Sequence, residues 1–175
     1  RNGLAADKNA RAWRIDARGV GIAFNDALQG KIRQNLETDI GDFVLYRADR
    51  VYAYQLAVTV DDAEQGITDI VRGADLLDST PRQIFLQQML KLPTPRYMHV
   101  PVAVNAAGEK LSKQTRAPAI DAANPMPSLV AALRFLGHEP PRELAAASVQ
   151  ALWQWAVAAW RGGQIPRSRR LSVRQ

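Results

Sequence analysis

Lys110, Ser112 and Lys113 sit within the stretch GEKLSKQTRAP (residues 108–118), just after the apolar run Met98–Val104. An ammonium group on a four-carbon stem is a point charge able to follow a phosphate as it moves. Two such groups and a hydroxyl on a loop at the carboxyl end of a strand stand where open α/β sheets bind ligands. The chemistry this suits is neutralisation of charge developing on a transferring phosphoryl or pyrophosphate group. A solvated basic turn is the plainer reading, and the loop alone does not separate the two.

Tyr54 and Arg72 form a second candidate pair, one preceding QLAVTV (55–60) and the other following ITDIV (67–71), both expected to be strands. A guanidinium there suits a carboxylate held through two hydrogen bonds, and a phenol adds a neutral one. The alternative is a tyrosine packed under a loop and an arginine paired with Asp61, Asp62 or Asp75. These acids, with Glu64 and Asp69, lack the spacing of a cation-binding loop and read as loop solvation and helix capping. His99 lies inside an apolar run, where a hydrogen-bonded core histidine is the first reading and a nucleotide contact the second. Trp153, Trp155 and Trp160 are of the type that stacks on bases, yet Trp153 and Trp160 fit a helix's inner face and Trp155 lies off it. His99 and His138 are far apart and the chain has no cysteine, so no metal site, disulfide or thiolate nucleophile is expected from these residues.

The 175 residues are 47% hydrophobic, enough for a buried core and one domain with an appendage. A net charge of +6 favours a polyanionic partner without establishing one. No run of 18 apolar residues and no signal-peptide pattern is present, so a soluble, cytoplasmic protein is expected. The first residue is Arg1, which suggests a longer gene product.

Residues 1–11 read as a polar, frayed lead-in. Short apolar stretches between Trp13 and Phe24, broken by glycines, suggest a hairpin or irregular β segment. Phe43–Tyr46, Gln55–Val60, Ile67–Val71 and Met98–Val104 read as strands. Thr80 and Pro81 open a helix carrying Ile84, Met89 and Leu90, with Gln83, Gln87 and Gln88 between them. This alternation argues for an α/β layer with parallel pairing. Beyond Pro127 the pattern turns helical: Leu129, Val130, Leu133 and Leu136 share one face up to Gly137. Ser148 can cap another helix whose inner stripe is Val149, Leu152, Trp153, Ala156, Val157 and Trp160. The tail with Arg167, Arg169, Arg170 and Arg174 has no apolar period and reads as mobile.

Taken together, DFVLYRADRVYAYQLAVTVDD, GITDIVRGADLLDSTPRQIFLQQML and YMHVPVAVNAAGEKLSKQ resemble, in order and spacing, the glutamate group of class I aminoacyl-tRNA synthetases. The resemblance covers residues 13 to about 160. KLSKQ is similar to the class's KMSKS-type signature loop. Within the group the chain is most similar to the short branch that attaches glutamate to queuosine of tRNA(Asp). Gln114 ends the loop where full-length glutamyl enzymes usually carry arginine, and the residues after it leave no room for an anticodon-binding domain.

The resemblance implies a ligase fold of the α/β class. Residues 1–120 would form the second half of a Rossmann-like catalytic domain, and residues 121–175 a small helical bundle with a basic tail. It implies Tyr54 and Arg72 as glutamate-binding residues, Lys113 as the catalytic ATP-binding lysine, and Lys110 and Ser112 as its support. ATP with Mg2+, glutamate and queuosine-bearing tRNA(Asp) are the implied partners of a cytoplasmic monomer. The HIGH-type motif and a cysteine-ligated Zn2+ knuckle would belong to an upstream part, so residues 1–175 alone are expected to be inactive. Arg50 departs from the family by standing where relatives usually place a turn glycine. The alternatives are a truncated or divergent glutamyl-tRNA synthetase acting on tRNA(Glu), and a non-catalytic RNA-binding module.

Overall fold

The structure, a computed structural model, describes residues 11–112 and 119–173. Lys113, Gln114, Arg174 and residues 1–10 of the expected lead-in lie outside the described residues. The chain divides into two compact units. One runs through Ile70 and adds Leu76–Tyr97; the other joins Val71–Asp75 to the residues from Met98 onward.

The first unit opens with β1 (Trp13–Ile15), the hairpin of β2 (Gly21–Asp26) and β3 (Gly30–Asn35), the one-turn helix α1 (Leu36–Asp39), and β4 (Phe43–Tyr46). β1 pairs antiparallel with β4, and β2 with β3. Asp26 closes the hairpin by accepting from the N–H groups of Leu28 and Gln29 at 3.0 and 2.8 Å. The next elements are α2 (Tyr54–Glu64), β5 (Asp69–Gly73), α3 (Thr80–Leu90) and β6 (Arg96–Val100). Ile22, Leu36, Phe43, Ile84, Leu86 and Tyr97 meet in one apolar core.

α2 overturns the expected strand at Gln55–Val60. The β-branched Val-Thr-Val favours a strand, but tertiary partners decide otherwise, as they often do against propensity. Thr59 Oγ1 donates to the Gln55 carbonyl one helical turn back at 2.8 Å, and Gln83 Nε2 donates to Gln55 Oε1 at 2.9 Å, tying α2 to α3.

α3 forms where expected, with Pro81 in its first turn, but Ser79 rather than Thr80 occupies the cap position. Its inner face differs too. Met89 and Leu90 are exposed, whereas Gln83 and Gln87 are buried, and Gln87 Nε2 donates to Tyr97 Oη at 2.9 Å. β5 and β6 pair as a two-stranded sheet. The Arg96 guanidinium and the Thr68 hydroxyl hold the Asp69 carboxyl below its ordinary range.

In the second unit β7 (Val102–Val104) follows Pro101, so the expected single strand Met98–Val104 is divided. Proline has no N–H to give a ladder at that point. α4 (Met126–Phe135) and α5 (Val149–Ala159) bury Val130, Leu133, Leu152 and Ala156 together. Ser148 caps α5, accepting from the Ala151 N–H at 3.2 Å.

The expected tryptophan roles are exchanged: Trp155 packs on this cluster, while Trp153 and Val157 are exposed. Trp160 stacks on buried His138, ring centroids 4.3 Å apart. β8 (Arg170–Ser172) pairs parallel with β7, so Arg170 lies in a strand rather than in a structureless tail. The β1–β4 and β2–β3 pairs, by contrast, are antiparallel.

Arg50 adopts φ 64 in a turn closed by its N–H on the Arg47 carbonyl and by the Arg47 N–H on the Val51 carbonyl. The left-handed region costs a residue with a Cβ about 1 kcal/mol. Arg50→Gly is therefore expected to raise stability by about 0.5–1 kcal/mol in urea unfolding, and Arg50→Val to lower it. Equal midpoints for both variants would show that the turn is not held in that conformation.

Candidate functional site

Arg72 leaves β5 half-buried, and its Nε donates to Nε2 of His99 on β6 at 3.0 Å. His99 is wholly buried, at 0% exposure. A guanidinium has donors only, so Nε2 must supply the lone pair; the ring is then neutral, with its proton on Nδ1. The partner of this Arg72 nitrogen is thus an imidazole rather than one of the carboxylates weighed from the sequence. Full burial also removes His99 from direct nucleotide contact in this conformation.

The lysine loop turns sharply after β7. Gly108 takes φ 78, and the Asn105 side chain brackets the turn by accepting from the Glu109 N–H at 2.9 Å. The Leu111 N–H returns to the Ala103 carbonyl at 2.9 Å, which fixes where Lys110 leaves the backbone. Its Nζ then donates to Asp75 Oδ2 at 2.6 Å, with side chains 54% and 39% exposed. Gly73 makes room for that carboxylate, because a Cβ there would collide with Asp75 Oδ1. Ser112 is the last described residue before Lys113.

The structure therefore gathers Arg72, His99, Asp75 and Lys110 in the second unit, whereas Tyr54 belongs to the first. Tyr54 is the first residue of α2, half-exposed, so it starts a helix rather than preceding a strand. Sequence reasoning passed over Gly73 and treated Asp75 only as an acid among others. The available signal was the pattern Arg-Gly-x-Asp, a glycine leaving space beside two opposite charges. Among the described residues no group of three His, Cys, Asp or Glu side chains is placed to hold a metal ion. A hollow of about 700 Å³ lined by Met126, Val130, Arg134, Phe135 and Val173 contains none of the predicted site residues.

Residues 5–143 match the family described as tRNA synthetases class I (E and Q), catalytic domain. The chain belongs to this family. Among similar proteins, the glutamyl-Q tRNA(Asp) synthetase of Thiobacillus denitrificans is 54% identical over 166 residues, covering 95% of this chain and 55% of that protein. The protein of the same name from Aromatoleum aromaticum is 55% identical over 167 residues, covering 95% and 53%. The one from Ectopseudomonas mendocina is 49% identical over 175 residues, covering 100% and 59%. The chain thus spans a little over half the length of these family members. The glutamate-tRNA synthetase structure from Elizabethkingia anophelis superposes with a TM-score of 0.63 at 22% identity, over 87% of this chain and 34% of that one, a likeness of fold.

Since the collision at Gly73 is with one side chain, its cost should depend on that side chain. Gly73→Ala is expected to destabilise by up to about 1 kcal/mol, the scale of the partly exposed Lys110–Asp75 pair that it would displace. Adding Asp75→Ala should recover most of the loss in a double-mutant cycle read by thermal or urea unfolding. Additive losses would place the obstruction in the backbone instead.

Proposed function

We propose that this chain carries part of an enzyme that activates glutamate with ATP and transfers it to queuosine at the wobble position of tRNA(Asp). The observation that carries this reading is the pair of relatives of that name, 54–55% identical across 95% of the chain. The second unit supports it by presenting a guanidinium at the end of β5 and an ammonium on the loop after β7.

Under this reading a carboxylate oxygen of glutamate attacks the α-phosphorus of ATP and pyrophosphate leaves. A queuosine hydroxyl then attacks the carbonyl of the glutamyl-adenylate, forming an ester and releasing AMP. Arg72 and Tyr54 hold the amino acid. Lys113 and Lys110, with Ser112, offset charge on the phosphates in the transition state. The magnesium ion enters with the nucleotide, as Mg2+ commonly does, and zinc belongs to residues outside these 175. Residues 1–120 act as the second half of the Rossmann-like catalytic domain. Residues 121–175 form a helical subdomain and basic tail, in keeping with the shared core of α4 and α5. The protein works as a cytoplasmic monomer; among the described residues no helix is long and apolar enough to cross a membrane.

Glutamate-dependent ATP–pyrophosphate exchange by the full-length gene product, run without tRNA, tests the first step. Comparing tRNA(Asp) with and without queuosine as acceptor tests the second. Strict tRNA dependence of exchange, or charging of tRNA(Glu), would assign the chain to an ordinary glutamyl-tRNA synthetase. Lys113→Ala should lower the exchange rate about 10²–10³-fold, the scale of one lost transition-state contact. Lys110→Ala should do less. Arg72→Lys should raise the KM for glutamate far more than that for ATP, because an ammonium cannot reproduce a two-pronged contact.

A further inference from the structure

Resting on the function proposed above, we propose that His99 is a positioning residue of the amino-acid site: its neutral imidazole fixes the orientation of the Arg72 guanidinium that meets the substrate carboxylate.

A guanidinium can meet a carboxylate through two different edges, Nε with one Nη, or the two terminal Nη groups. The 3.0 Å bond from Nε to His99 Nε2 commits the first edge. The acceptor is set on β6, the hydrogen-bonded neighbour of the strand that carries Arg72, and has no exposure through which water could replace it. Rotation of the arginine about its long stem is therefore checked at the nitrogen nearest the stem.

The chemical type of the acceptor matters as much as its place. A carboxylate at position 99 would orient Arg72 equally well, but it would offset the positive charge that an anionic substrate needs. A neutral imidazole orients through its lone pair and leaves the guanidinium charge undiminished by this contact. Preference for glutamate over glutamine depends on that charge, so His99 is expected to serve selectivity as well as affinity without touching the substrate.

Two substitutions separate positioning from mere filling of space. His99→Phe keeps a ring but removes the acceptor; His99→Gln retains an amide oxygen able to accept from Arg72 Nε. In ATP–pyrophosphate exchange by the full-length gene product, His99→Phe is expected to raise the KM for glutamate about tenfold or more, the scale of one unsatisfied buried donor. The KM for ATP should hardly move, glutamine should be excluded less well, and His99→Gln should recover most of the loss. Unchanged KM for glutamate in His99→Phe, an equal rise for ATP, or no recovery in His99→Gln would overturn the inference. Should His99→Phe fail to fold, nitrogen-15 NMR of the wild-type imidazole decides: a proton on Nδ1 with Nε2 as acceptor supports it, and a proton on Nε2 overturns it. Wild-type protein lacking glutamate-dependent exchange would instead overturn the proposed function, whatever the tautomer.

Discussion

Several buried polar side chains among the described residues find a second polar group at hydrogen-bonding distance, although Gln34 Oε1, Arg82 Nε and Gln87 Oε1 do not. Gln83 reaches Gln55, Gln87 reaches Tyr97, Arg72 reaches His99, and the Arg161 N–H reaches His138 at 2.9 Å. Leaving any one of these donors without an acceptor costs about 1–3 kcal/mol, a large share of a domain's net stability. The requirement is directional, so it sets more than stability. Gln55 meets Gln83 only if residues 55–60 are helical, and Arg72 meets His99 only if β5 and β6 lie side by side. Hydrophobic burial drives the chain to collapse, while these polar pairs select the register in which it does so.

The same requirement explains which parts of the fold could be read from the sequence. α4 and the cap of α5 were legible because apolar periodicity and a serine cap act locally. The helix at Tyr54–Glu64 was not, since a short apolar run rich in β-branched residues reads as a strand and the partner of Gln55, Gln83, lies 28 residues away. Buried Gln83 and Gln87 were taken for spacers between apolar positions, whereas they form the inner face with Ile84. The division of Met98–Val104 was visible in Pro101 itself. β8 was hidden because Arg-Leu-Ser carries no pattern of its own and forms a strand only against β7.

Legibility of the candidate site follows a similar line. Arg72, Lys110 and Ser112 stood out by type and by position at the ends of apolar runs, and the family match agrees with the resemblance those runs carried. Their partners did not stand out. Asp75 reaches Lys110 across 35 positions, and His99 reaches Arg72 across 27. Composition marks a residue able to do chemistry, but the neighbour that aims it is fixed by tertiary structure. His99 inside MHVPV gave one hint, since a histidine among strand-forming apolar residues must find a partner.

The two contacts differ in a way that matches the motions their owners would make. Lys110 and Asp75 are both partly exposed, and a pair of that kind contributes about 0–1 kcal/mol because water and salt screen it. Such a contact can hold a loop cation near its place of work and still release it to a phosphate, with little to overcome. Arg72 and His99 are the opposite case. Separating them would strand a donor beside an imidazole that has no access to solvent, so Arg72 should stay where β6 puts it throughout a catalytic cycle. A fixed cation for the amino acid and a releasable one for the nucleotide is what adenylate formation asks of a site. Under the proposed function the amino acid must be held still while its α-carboxylate attacks, whereas the leaving pyrophosphate must be followed as it departs.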